Sequence, residues 1–305
     1  MIASVSRETR NGLWIAIASF LLWGLMPLYW HLLKAVPSLQ IVLHRIAWSA
    51  VLVVGWLCWS QGLQWLRKAL ATPRVWWMLA LSGLLIGFNW GLYIWAVNAG
   101  HVVESSLGYF INPLLNVLLG VVFLRERLTR TQWTSVAIAT IGVLWLTFRF
   151  GQLPWIALAL AASFALYGLL RKLAAVDSIP GLGIESAYLF LPAVALLAWS
   201  ETHGQGGFFA EGGYGPWLVA LLVFSGLLTA LPLIGFAYAV RRVPLSTVGL
   251  LQYIAPTMQF LLGVLFFHEP FDSGRALGFA CIWVALAIFA VDGLWRTRRQ
   301  AMAPA

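Results

Sequence analysis

Charge is what this sequence has least of: only 10% of its 305 residues are Asp, Glu, Lys or Arg, against 61% hydrophobic. A soluble globule carries about a quarter of its residues charged to keep its surface in water, so that class is excluded. Cysteine is almost as scarce. Cys58 and Cys281 fall inside apolar stretches at a spacing that builds neither a disulfide framework nor a metal site. No polar stretch is long enough for a soluble module such as an ATPase, so any work the protein does draws on gradients or on a partner chain. The strings H-E-x-x-H, G-x-x-x-x-G-K-[ST] and G-x-S-x-G are missing. No catalytic residue, metal or cofactor is therefore expected, and the chain reads as something other than an enzyme.

Long apolar runs are what the sequence has instead. A hydrocarbon core about 30 Å thick takes about 20 apolar residues per helix, and that template fits ten times: 12–33, 39–60, 75–98, 103–124, 132–148, 153–171, 179–200, 215–240, 245–267 and 273–295. The expected fold class is all-α integral membrane, with ten transmembrane helices and membrane lipids as the surrounding partner. The first run is too long for a signal-peptide core and no small-residue cleavage pattern follows it, so it is expected to be retained. The formal charge of +9 is explained by where the basic residues lie. With the amino terminus in the cytoplasm, 15 of the 19 fall on the cytoplasmic side, including Arg125, Arg127, Arg171, Lys172, Arg241 and Arg242. Only Lys34, Arg149 and Arg275 fall outside, and Arg45 falls within a span. That bias places both termini in the cytoplasm and reports topology, with no nucleic-acid partner.

The chain repeats itself. Asn112-Pro-Leu-Leu-Asn-Val-Leu-Leu-Gly-Val-Val-Phe-Leu-Arg-Glu126 recurs as Ala255-Pro-Thr-Met-Gln-Phe-Leu-Leu-Gly-Val-Leu-Phe-Phe-His-Glu269, and Ser19-Phe-Leu-Leu-Trp-Gly24 resembles Ser163-Phe-Ala-Leu-Tyr-Gly168. The seam falls at Phe148-Arg-Phe-Gly-Gln-Leu-Pro154. Residues 1–150 and 151–305 are thus expected to form two five-helix repeats, the second ending in a basic cytoplasmic tail. An odd number of spans per repeat inverts the second copy, the architecture of many secondary transporters. Loops are short except for 201–214, Gly-rich and without basic residues, which reads as a flexible connector.

A charged side chain at membrane depth costs several kcal/mol, so Arg45 in the second span and Glu185 in the seventh need reasons for being there. Each sits about six residues into its helix, from opposite ends of the bundle. Arg45 offers a planar fork suited to an anionic group of a substrate, and Glu185 offers a carboxylate for proton coupling. The bland readings are snorkelling by Arg45 and a structural pairing of either residue. Tyr109, Asn112 and Asn116 share one helical face; their repeat counterparts are Gln252, Ala255 and Gln259. Pro113 and Pro256 interrupt the two stripes and are expected to loosen the backbone there. Asn89 and Tyr93 add a polar pair in the third span, where Gly83, Gly87 and Gly91 are spaced for close helix approach. Trp23, Pro27 and Trp30 form a stripe in the first span, with Tyr167 matching Trp23. Trp23, Trp48 and Trp90 are mid-span candidates to line a pocket, and the remaining tryptophans suit interfacial belts.

These strings resemble the drug/metabolite transporter superfamily, in its EamA-type branch and, within that, its RarD-type members. The resemblance is carried by Ala18 to Pro27 with His44-Arg45-Ile-Ala-Trp48, by Asn89 to Asn98 running into Glu104 to Pro113, and by Gln252-Tyr-Ile-Ala-Pro256 with Phe279 to Phe289. It covers residues from about 10 to 299. It implies a bacterial inner-membrane permease that moves amino acids, metabolites or drugs, often outward, through a cavity lined by spans one to four and six to nine.

The expected function is secondary transport of a small molecule by alternating access, with proton coupling through Glu185. Substrate contacts are expected from Arg45, Trp23, Asn89, Tyr93, Tyr109, Asn112, Asn116, Tyr167, Gln252, Tyr253 and Gln259. An uncoupled facilitator, a non-transporting scaffold or a lipid scramblase remain open readings, as does a homodimer.

Overall fold

A computed structural model describes residues 7–70, 72–99, 101–151, 153–209, 213–266 and 273–302. Among these residues every regular element is a helix: α1 (Arg7–Leu32), α2 (Ser38–Gln61), α3 (Gln64–Leu70), α4 (Pro73–Asn98), α5 (Val102–Val122), α6 (Arg130–Phe150), α7 (Trp155–Leu173), α8 (Ser178–Thr202), α9 (Gly215–Arg242), α10 (Leu245–Gln252), α11 (Ile254–Leu265) and α12 (Ser273–Met302). Nine stretches among them are long and apolar enough to cross a membrane, with a shorter apolar stretch at Ala276–Asp292 in α12. The protein is a multi-pass membrane protein. The expected spans fall on these helices, with two differences.

The short α3 lies between the second and third spans and had no apolar signal. The ninth span is broken into α10 and α11 at Tyr253. Pro256 accounts for the break, because its ring has no N–H to donate and clashes with the carbonyl four residues back, at Gln252. Pro113 was expected to loosen its helix in the same way, yet α5 runs through it without interruption. Local ends follow ordinary helix chemistry. Thr129 and Gln132 form a capping box at the start of α6, and Gly151 ends that helix at φ 79°, where a side chain would be strained.

The helices run up and down. Gly12, near the start of α1, lies against Val243 just past the end of α9, while Tyr29 near the end of α1 donates a hydrogen bond to the Leu221 carbonyl near the start of α9. One end of the bundle, the basic end, gathers the turns carrying Arg125, Lys172 and Arg241; the loop end gathers the turn after α1 and residues 203–209. Exposed tryptophans ring both ends: Trp14, Trp59, Trp77 and Trp133 at the basic end, and Trp95, Trp155, Trp199 and Trp217 at the loop end. On α4, Trp77 and Trp95 are separated by about 27 Å of helix, close to the thickness of a hydrocarbon core.

The core lies where α1, α4, α7, α9 and α10 meet, around Phe20, Leu79, Tyr167, Phe236 and Val248. Helices α6 and α12 pack mainly on one another at the side of the bundle, joined where Gly142 meets the Gly278 carbonyl. Gly226 on α9 admits α2 so closely that a Cβ there would lie 2.5 Å from the Trp48 carbonyl carbon. Gly83 and Gly87 seat α4 against Glu185 and Leu189 of α8, whereas Gly91 of the same stripe meets nothing within 4 Å.

Candidate functional site

Arg45 and Glu185 both lie inside the bundle, one toward each end. Arg45 projects from α2 toward the loop end, with its guanidinium carbon 4.6 Å from the Trp30 ring centroid on α1 and 5.6 Å from that of Trp90 on α4. Aromatic faces stabilise a cation without neutralising it. The Nε donates to Thr229 Oγ1 on α9 at 3.0 Å, which fixes the plane of the fork. Among the described residues Arg45 has no carboxylate partner and neither Nη nitrogen makes a hydrogen bond. The phenols of Tyr93 and Tyr109 lie within electrostatic reach of it and face one another edge on, 6.1 Å between centroids. Both remain open, 36% and 41% exposed. Arg45 is thus ringed by Trp30, Trp90, Tyr93 and Tyr109, an aromatic vestibule around a cation.

Toward the basic end, Glu185 of α8 is 1% exposed. Its Oε1 accepts a hydrogen bond from Ser82 of α4, its Oε2 accepts one from Tyr167 of α7 at 3.5 Å, and Arg171 Nη1 lies 3.5 Å from Oε1. Arg171, the last residue of the expected span 153–171, was expected to face the cytoplasmic side. It belongs to the last turn of α7 and is fully buried, because its long side chain turns back into the bundle under α8. Its neighbour Lys172 turns the other way, donating to the Val243 carbonyl at 2.7 Å and pairing with Glu126 at 3.5 Å. Glu126 in turn accepts from the Leu245 and Ser246 amides, 2.7 and 2.9 Å, and so caps α10 in place of Pro244, which has no side-chain acceptor. Its repeat counterpart Glu269 lies outside the described residues.

The other expected site residues are placed differently. Asn112 and Asn116 are buried, and their amides link helices: Asn112 donates to the Ala161 carbonyl at 3.1 Å, and Asn116 donates to Asn112 Oδ1 at 3.0 Å and to Gln252 Oε1 at 2.7 Å. Asn89 ties α4 to α7 through the Leu160 carbonyl and Ser163. Gln259 reaches the Trp23 carbonyl, and the fully buried Tyr253 donates to the Phe110 carbonyl. Trp23 and Tyr167 join Phe20, Phe164 and Phe236 in an aromatic cluster between α1, α7 and α9. Thus Arg45, Tyr93 and Tyr109 gather at the vestibule, and the remaining residues knit the helices beneath it.

Four residues of these two sites carry no obvious sequence mark: Trp30 beyond its place in a stripe, and Thr229, Ser82 and Arg171. A signal existed for two of them. Ser82-Gly-Leu-Leu85 recurs as Ser225-Gly-Leu-Leu228, and Thr229 follows directly on the second copy. The loop 201–214 also departs from a flexible connector in its described part. Glu201 accepts from the Gly207 and Phe208 amides at 3.0 and 2.9 Å, and Phe208 stacks on His44 at 4.6 Å between centroids.

Bundle and site together make this a multi-pass membrane protein with charged groups buried among its helices. The model of the EamA-like transporter family matches this chain twice, over residues 10–148 and 153–291, and the chain belongs to that family. It is 46% identical over 294 residues to the Protein RarD of Streptomyces exfoliatus, covering 96% of this chain and 92% of that one. It is 46% identical over 286 residues to a Bacillus subtilis protein described as the uncharacterized transporter YojE, covering 92% and 94%. A solved crystal structure shares the fold with a TM-score of 0.68 and 21% identity, covering 93% of this chain and 98% of that one.

Proposed function

We propose that this protein is a secondary transporter of the bacterial inner membrane that carries a small metabolite or drug with an anionic group beside a flat apolar part. The observation that carries the reading is Arg45: a guanidinium inside the bundle, set between two indoles, oriented by Thr229, and with both Nη donors unspent among the described residues. An anionic oxygen pair would satisfy that fork in two parallel hydrogen bonds, while Trp30, Trp90, Tyr93 and Tyr109 would cover an apolar ring. In this reading Tyr93 and Tyr109, both partly exposed, border the entrance at the loop end, and the Arg171, Glu185, Lys172 and Glu126 contacts tie the helices at the basic end. This is the form expected of one extreme of an alternating-access cycle.

In this reading the chain spans the membrane ten times as two inverted five-helix repeats, 1–150 and 151–305, with both termini cytoplasmic. The twofold family match supports it. So does the pairing of helices: α1 packs on α9 as α7 packs on α4, and α2 on α9 as α8 on α4. Glu185 is the proton-coupling residue, since a proton arriving there removes the charge that faces Arg171.

A panel of amino acids, nucleosides, organic anions and chloramphenicol, screened by thermal stability of the purified protein, tests the reading, because a ligand that prefers the folded state raises its melting temperature. Hits that bear an acidic group and vanish in Arg45→Ala support it. Hits that survive Arg45→Ala retire Arg45 as the anchor, and the absence of any hit shifts the reading to a scaffold or lipid scramblase.

A further inference from the structure

Arg171 is a fully buried guanidinium that the protein leaves only partly satisfied. Its Nη2 donates to the Ser178 carbonyl at 3.0 Å, but among the described residues Nε and Nη1 make no hydrogen bond. Glu185 stands 3.5 Å from Nη1, beyond the roughly 2.7–2.9 Å of a charge-assisted hydrogen bond. The carboxylate is held by Ser82 and Tyr167, so Glu185 faces the fork at ion-pair distance without a hydrogen bond to it. A pair built for stability alone would close that distance, because unmade hydrogen bonds on a buried cation cost free energy. The seat itself is built: at Gly181 of α8 a Cβ would fall 1.9 Å from Arg171 Nη1, so the guanidinium fits only against a glycine. Beside Glu185, a narrow cavity lined also by Trp90, Tyr167 and Ser186 has room for little more than water. Trp90 is also a wall of the Arg45 vestibule.

From this geometry we infer that Arg171 is a second anion-binding site at the basic end, for which Glu185 is a tethered occupant that the carboxylate of a substrate replaces. Arg45, toward the loop end, and Arg171, toward the basic end, then form two stations. The outer one is open in this form, and the inner one is filled by a side chain of the protein. Release of Glu185 frees the inner station, by the protonation considered above or by movement of α8 away from α7. The inference rests on the transport reading for its purpose, but its chemistry is testable separately.

Full-length protein in lipid nanodiscs would be titrated with sodium acetate against sodium chloride at constant ionic strength, with melting temperature as the readout. In wild type the tethered carboxylate excludes acetate from Arg171. In Glu185→Ala, and in Glu185→Gln should the alanine variant fold poorly, acetate is expected to stabilise saturably with a midpoint at least tenfold lower than in wild type. Glu185→Gln/Arg171→Gln, which removes both charges together and so leaves no orphan, is expected to abolish that response. The response is expected to survive addition of Arg45→Ala. No acetate-specific stabilisation in the Glu185 variants, or a stabilisation that persists without Arg171, overturns the second site. A response lost with Arg45→Ala also overturns it while leaving the vestibule reading intact; conversely, a vestibule that binds nothing in wild type leaves the Arg171 titration standing.

Discussion

Arg45 on α2 and Thr229 on α9 are joined by a 3.0 Å hydrogen bond that uses only the Nε of the guanidinium and leaves the fork turned toward the vestibule. Thr229 is itself held, donating to the Ser225 carbonyl at 2.8 Å, so its oxygen is a fixed acceptor. It is a positioning residue. Thr229→Val keeps the shape and removes the acceptor, and should weaken the ligand found by the stability screen about fivefold to tenfold, the equivalent of about 1 to 1.4 kcal/mol. The melting temperature without ligand should change little. A shift in stability with unchanged affinity would assign Thr229 to packing alone.

The distinction between charge and fork gives a second expectation at the same place. Arg45→Lys keeps the cation but loses the planar donor pair and its fit between Trp30 and Trp90. Affinity for the ligand should fall at least tenfold in a titration of melting temperature. Full retention in the lysine variant would mean that the site reads charge without geometry.

Breaking the buried pair at the basic end should be costly. Glu185→Leu leaves Arg171 facing no carboxylate in a fully buried seat, a change of about 3 to 5 kcal/mol for pairs of this kind. The double variant Glu185→Leu/Arg171→Leu removes the orphan and should recover most of the lost melting temperature. If the double variant is as unstable as the single one, the two residues do not act as a pair.

Much of the fold was legible because a lipid solvent writes length and polarity into each span, and because the chain states its plan twice. The helices, the belts of exposed tryptophan and the family followed from that. The break at Tyr253 was less legible, since Pro113 and Pro256 look alike in sequence while only the second breaks its helix. The site was half legible. Arg45 stands out as a cation in an apolar run, but an intramembrane amide reads the same whether it meets a ligand or another helix; Asn116, spent on Asn112 and Gln252, shows the second outcome. Arg171 was hidden for a different reason. A basic residue at the last turn of a span belongs equally well to the interface or, through a long side chain, to the interior.

That reading of the amides is itself testable. Asn116→Leu should lower the melting temperature, by about 1 to 3 kcal/mol of stability for a buried partner left unsatisfied, and should leave ligand affinity within about twofold. A loss of binding with stability intact would return Asn116 to the ligand site.

Close approach of helices can be separated from conformational freedom by two glycines. Gly226→Ala would place a methyl 2.5 Å from the Trp48 backbone and push α2 from α9, carrying Arg45 away from Thr229; Gly91→Ala meets nothing within 4 Å. The first should impair folding or ligand binding and the second should behave as wild type in both. Equal behaviour of the two variants would contradict the packing described for α2 and α9.

The most direct test of the account is a comparison of uptake by proteoliposomes holding wild-type protein or Arg45→Ala, with the radiolabelled ligand identified in the stability screen. The account predicts saturable flux of an anionic solute in wild type that is lost in Arg45→Ala while the variant remains folded and monodisperse. Saturable flux undiminished in Arg45→Ala, or a transported solute with no anionic group, would contradict it.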